Sequence, residues 1–89
     1  MKFRSHGTPE FWQAYRKQPA AVRAVAQKTY RLWSEDALHP SLHFKKIKGG
    51  KWSIRIGLHY CAVGRFEPDG FVWDWIGTHG EYDRLGKRG

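Results

Sequence analysis

Lys51-Trp52-Ser53-Ile54-Arg55-Ile56-Gly57-Leu58 decides how the second half of the chain is read. Trp52, Ile54, Ile56 and Leu58 alternate with Lys51, Ser53, Arg55 and Gly57, the period of two that marks a half-buried strand. One face is apolar and must pack against something. The other carries Lys51, Ser53 and Arg55 and is left to solvent. Gly49-Gly50 just before reads as a tight hairpin turn, pairing this strand with a partner at roughly residues 42–48. Lys48 and Lys51 then flank the turn, and Lys45 or Lys46 lies across from Ile54 and Arg55. The partner loses its phase at Ile47, so a bulge or an early end is expected there.

Working outward, Tyr60–Glu67 is a third strand, closed by the turn Pro68-Asp69-Gly70. Residues 71–77 form a fourth, rich in aromatics, with Trp73 and Trp75 expected on the one face that packs against helices. Residues 2–6 are a candidate short edge strand. Upstream the period changes. Thr8-Pro9-Glu10 combines an N-cap residue, a proline suited to the first helical position and an acid at the positive end of the dipole. Phe11 and Tyr15 follow one turn apart. Pro19 breaks this helix and opens a second, where Val22, Val25, Ala26, Leu32 and Trp33 keep helical spacing. The expected fold class is α+β, in the order β-α-α-β-β-β-β. A helical hairpin packs on one face of a small antiparallel sheet.

The whole chain, residues 1–89, is read as one domain. A domain this small buries about two-thirds of its unfolded surface, so a surface groove is expected rather than a large enclosed cavity. Sixteen Lys and Arg against eight Asp and Glu give a formal charge of +8. An aromatic content of 16% is too high for a disordered basic tail. The partner is therefore expected to be acidic: nucleic acid, an anionic membrane or an acidic protein. The single Cys61 excludes an internal disulfide framework, and a buried structural thiol is the expected role. No apolar run approaches the length of a membrane span, and the first residues do not read as a signal peptide, so a cytoplasmic location is expected.

The positive charge is concentrated. Residues 37–66 contain no acid but hold Lys45, Lys46, Lys48, Lys51, Arg55 and Arg65, a density that suits phosphate binding better than a neutral surface. Residues 11–34 also lack acids and carry Arg16, Lys17, Arg23, Lys28 and Arg31. A second constellation, Gly77-Thr78-His79-Gly80-Glu81-Tyr82-Asp83-Arg84, follows the last strand. Cleaving RNA without a metal needs a base for the 2′-hydroxyl proton, a cation for the developing phosphate charge and an acid for the leaving oxygen. Histidine titrates near neutrality, and a basic surface can lower the pKa of Tyr or Lys. The blander reading makes His79 a turn residue and Tyr82 a cap over the sheet. His6, His39, His43 and His59 show no zinc spacing, and no Gly-rich phosphate loop is present, so neither metal nor cofactor is expected.

The order of elements resembles the RelE/ParE superfamily of bacterial toxin–antitoxin toxins. So do Phe44-Lys45-Lys46-Ile47-Lys48-Gly49, Trp52-Ser53-Ile54-Arg55-Ile56-Gly57 and Trp75-Ile76-Gly77-Thr78-His79. The resemblance implies a toxin that cuts mRNA on the ribosome, with the 2′-hydroxyl attacking the adjacent phosphate, held in check by an acidic antitoxin. It implies Arg55, His79, Tyr82 and Lys48 as the catalytic set: Arg55 on the phosphate, His79 or Tyr82 in acid–base work, Lys48 as a candidate base. Lys45, Lys46, Lys51, Arg65 and Arg84 would bind RNA. Many relatives carry Tyr-Arg where this chain has Tyr60-Cys61. The ParE branch of the fold instead inhibits DNA gyrase. A nontoxic basic nucleic-acid-binding module is the third reading.

Overall fold

The helical hairpin forms where the local signals place it. In this computed structural model, which describes residues 4–86, α1 spans Pro9–Arg16 and α2 spans Ala20–Glu35. Thr8 caps α1 by accepting the Phe11 N–H at 3.1 Å, and Pro9 takes the first helical position. Ala26 and Trp33 are the buried residues of α2, while Val25 lies at the margin and is exposed.

The described strands form one five-stranded sheet: β1 (Ser5–Gly7), β2 (Lys45–Lys46), β3 (Lys51–Ile56), β4 (Tyr60–Glu67) and β5 (Gly70–Thr78), in spatial order β1-β5-β4-β3-β2. It is mixed rather than antiparallel. β1 runs parallel to β5, Ser5 facing Phe71 and Gly7 facing Trp73. A parallel neighbour needs a crossover, and β1 and β5 lie at opposite ends of the chain, joined through everything between them. Of the expected edge strand at residues 2–6, residues 2 and 3 lie outside the described residues.

β2 is shorter than its sequence reading. Short 3₁₀ turns at Pro40–Leu42 and Lys48–Gly50 bracket it. The hairpin loop has three residues, not two, with Gly49 and Gly50 at φ of 73° and 72°. A side chain would be strained at either. The extra loop residue shifts the register by one from that of a two-residue turn, so Lys45 faces Ser53 and Lys46 faces Trp52, and neither faces Ile54 or Arg55.

Trp33 is the centre of the core, with no exposed surface. The rings of Phe44, Phe71 and Trp73 stand 5.9, 5.3 and 5.2 Å from it. Ile54, Ile56, Ala62 and Ile76 complete the sheet's contribution. β5 departs from simple alternation. A bulge at Asp74 separates the Gly64–Trp73 and Val63–Trp75 pairs. Trp73 therefore faces the helices, while Trp75 emerges on the other side of the sheet. The two tryptophans do not share a face.

The expected C-terminal turn is a helix, α3 (His79–Gly86). Thr78-His79-Gly80-Glu81 is a capping box. The Thr78 hydroxyl accepts the Glu81 N–H at 3.1 Å, and the Glu81 carboxylate accepts the Thr78 N–H at 3.0 Å. Among the described residues no helix is long and apolar enough to cross a membrane.

Candidate functional site

The face of the sheet turned away from α1 and α2 holds most of the candidate residues. Cross-strand pairing aligns Lys51 with Arg65, Ser53 with Val63 and Arg55 with Cys61. Val63 in turn faces Trp75, and Cys61 faces Gly77. Lys45, opposite Ser53, belongs to the same face, whereas Lys46, opposite Trp52, belongs to the other. α3 closes one end. The Tyr82 ring lies 6.3 Å from that of Trp75. Gly77 lets the Trp75 ring lie over the strand, because a Cβ there would overlap that ring.

The face has two unlike ends. At the hairpin end, Lys51 donates to Asp74 at 3.3 Å. Arg65 also donates to Asp74, and to Glu67 at 3.1 Å. These bonds, first that of Asp74 and then that of Glu67, raise the Arg65 pKa. Two acids from the β4–β5 hairpin thus neutralise two of the six cations in the acid-free stretch. Alternation from Phe71 and Trp73, which face the helices, puts Asp74 on this outer face, and the bulge keeps Trp75 there beside it. Lys45, Lys46 and Lys48 stay exposed at this edge and form no ion pair among the described residues.

The opposite end gathers Arg55, Tyr82 and three histidines. Arg55 donates its Nε–H to the Gly57 carbonyl at 3.0 Å, and its Nη1 lies 3.3 Å from Nε2 of His43. A guanidinium only donates, so His43 Nε2 accepts in this contact. The His79 N–H donates to the carbonyl of His59 at 3.0 Å, joining the start of α3 to the β3–β4 turn. His43, His59 and His79 are all exposed. Arg55 and Gly77 are two strand spacings apart, about 10 Å between Cα atoms. A phosphodiester segment can bridge that gap.

The structure thus brings Arg55, His79 and Tyr82 toward one corner and sets Lys48 at the far end of β3. Lys51 and Arg55 are four residues apart on an extended strand, about 13 Å, and Lys48 lies beyond Lys51. Arg84 is exposed in the last turn of α3. In the sequence His43 carries no signal beyond lacking zinc spacing, and His59 stands out otherwise only as the histidine two residues before Cys61. No spacing rule links them to Arg55 or His79, since the contacts arise from sheet register and from the left-handed turn at His43, φ 48°. Among the described residues no group of His, Cys, Asp and Glu could hold a metal ion.

Burial and neighbouring charges decide the protonation of two groups. Burial, then Cys61 and Asp83, raise the Tyr82 pKa, the reverse of the lowering expected on a basic surface. Tyr82 therefore keeps its proton at neutral pH, which suits it to the acid role rather than the base role. Burial first, and Asp83 second, push the Cys61 thiol up to about 11. Cys61 is 3% exposed and neutral, so it is a packing residue rather than a nucleophile.

The fold is similar to that of solved chains from toxin–antitoxin systems. A chain of the RelB–RelE antitoxin–toxin complex from Methanococcus jannaschii superimposes with a TM-score of 0.71 at 18% identity, covering 89% of this chain and 95% of that one. The YoeB/ParE toxin from Agrobacterium tumefaciens gives 0.67 at 21% identity, covering 89% and 99%. A substituted form of the E. coli toxin RelE in the free state gives 0.66 at 18% identity, covering 99% and 98%. No protein-family model matches the chain, and comparison with characterised sequences finds no match.

Proposed function

We propose that this chain is the toxin of a toxin–antitoxin pair and acts as a metal-independent endonuclease on mRNA bound to the ribosome. The observation that carries the reading is the end of the outer sheet face where Arg55, in contact with His43, lies about two strand spacings from the start of α3, which carries His79 and Tyr82 and is tied by its first N–H to the His59 carbonyl. A base at this corner, His79 in the first instance, takes the 2′-hydroxyl proton. The 2′-oxygen then forms a bond to phosphorus, and the phosphorus–5′-oxygen bond breaks. A proton passes to the leaving 5′-oxygen, giving a 2′,3′-cyclic phosphate and a 5′-hydroxyl end. Arg55 stabilises the added charge on the phosphoryl oxygens. Tyr82, held protonated, is a candidate donor. Lys45, Lys46 and Lys48 hold the strand from the β2 edge, and Lys51, Arg65 and Arg84 are further contacts. Lys48 fits this holding role better than that of base, because the length of β3 separates it from the corner.

The partners in this reading are mRNA on the ribosome and an acidic antitoxin that covers the same cations. It is supported by structural neighbours that are themselves antitoxin–toxin complexes. The decisive experiment incubates purified protein with ribosomes and mRNA. Cuts within the ribosome-bound region are expected, and their absence overturns the reading. A ParE-like toxin acting on DNA gyrase is the second reading, favoured by the neutralised hairpin end and by Cys61 where relatives carry Arg. It predicts altered DNA supercoiling with intact mRNA on expression.

A further inference from the structure

Among the described residues β3 has no outer strand partner beyond Ser53, because β2 is only two residues long. The free edge of β3 past that point borders α2 across a pocket of about 400 Å³, lined by Lys28, Thr29, Leu32, Ser41, Leu42, Arg55 and Gly57. Lys28, Thr29 and Leu32 fall on one side of α2, at spacings of one, three and four residues. No acid lines the pocket, while Lys28, Arg55, Thr29 and Ser41 give it two cations and two hydroxyls. Neither Lys28 nor Thr29 makes a side-chain hydrogen bond or ion pair among the described residues. Arg55 uses Nε and Nη1 internally and has further N–H donors to offer.

We propose that this pocket is a phosphate-binding subsite that takes an RNA phosphate next to the one at the catalytic corner, leading the strand from Arg55 around the β3 edge to Lys28 on α2. The inference rests on the RNA reading above. Arg55 belongs to both places, so an RNA strand leaving the corner over this edge meets Lys28 next. The basic run at residues 11–34 then gains a specific use at one position instead of serving as general surface charge.

Two measurements test it. The first is an amide NMR titration with inorganic phosphate, which needs neither ribosome nor cleavage. Shifts at Lys28, Thr29, Ser41 and Gly57 are expected, and their absence overturns the proposal. The second is binding of a 2′-O-methyl RNA oligonucleotide, which cannot be cleaved, read by anisotropy across a salt series. Lys28→Ala should lower the slope of log affinity against log salt by about 0.7, one phosphate contact to a single strand. Arg16→Ala, a cation outside the pocket, should leave the slope unchanged. Equal effects of the two variants overturn the proposal, because they would report general charge. Phosphate shifts with no change in the Lys28→Ala slope also overturn it, by identifying a site for free phosphate only. Alanine favours helix at an exposed position such as 28, so the variant is expected to fold. Failure of the ribosome assay would remove the nuclease reading and leave both of these measurements interpretable.

Discussion

Arg55 and Asp74 show how single side chains divide the sheet face into a reactive corner and a neutral end. Arg55 sits at a strand edge, and its bonds go to a carbonyl and an exposed histidine, so little of the fold depends on it. Arg55→Ala should lower ribosome-dependent cleavage at least about 100-fold, the loss typical of removing a transition-state charge donor. Thermal unfolding should shift by no more than a few degrees. Asp74 works in the other direction. It holds Lys51 and Arg65 and is more enclosed than either, with 18% of its side chain exposed against 45% and 39%. Asp74→Asn removes a negative charge beside two cations, so RNA affinity at low salt should rise about fivefold. The stability cost should stay below about 1 kcal/mol because both partners are well solvated. Anisotropy and urea denaturation of the same variant measure the two effects separately.

At the scale of elements, α3 is the piece on which the corner depends. It carries His79 and Tyr82, and its first turn is held by the reciprocal Thr78–Glu81 bonds. Thr78→Ala should cost about 1 kcal/mol, the usual worth of an N-cap. Hydrogen exchange should show this as faster exchange in α3 with β3 and β4 unaffected. The backbone bond from Thr78, then its hydroxyl bond, lower the Glu81 pKa. A carboxylate with a depressed folded pKa stabilises above its unfolded value, about 4.3, and loses that contribution as pH falls through the folded value. α3 should therefore loosen below about pH 4, and a Glu81→Gln variant should show a weaker acid dependence. The Thr-x-x-Glu pattern that builds this cap was present in the sequence. It is only four residues long and overlaps the His79, Tyr82 and Arg84 constellation, so as a helix start it carries little weight without the helix that follows. The β2 turn was missed for a different reason: two glycines fit both a two- and a three-residue loop, and the packing of Phe44 on Trp52, 4.8 Å between rings, accompanies the longer one.

Across the whole molecule, one aromatic cluster ties the helices to the sheet. Trp33→Ala should cost about 3–5 kcal/mol. That is a large part of the stability of a small domain, so the variant is expected to be partly unfolded in urea-free buffer by near-UV circular dichroism. The +8 charge is similarly a property of the whole chain, and folding redistributes it. The acid-free stretch of residues 37–66 meets Glu67 and Asp74 once β4 and β5 pair, and its unneutralised cations are left along the β2 edge and at Arg55. The sequence by itself determined the helical hairpin and strands β3, β4 and β5. Caps, breakers and apolar period act over a few residues, and any fold of this chain must satisfy them. Tertiary structure alone decided the parallel pairing of β1, the bulge that parts Trp73 from Trp75, the neutralisation of Lys51 and Arg65, the contact of His43 with Arg55, and the bond that joins His79 to the His59 turn. Each of these joins segments distant in the chain through sheet register, and register depends on how the whole core packs.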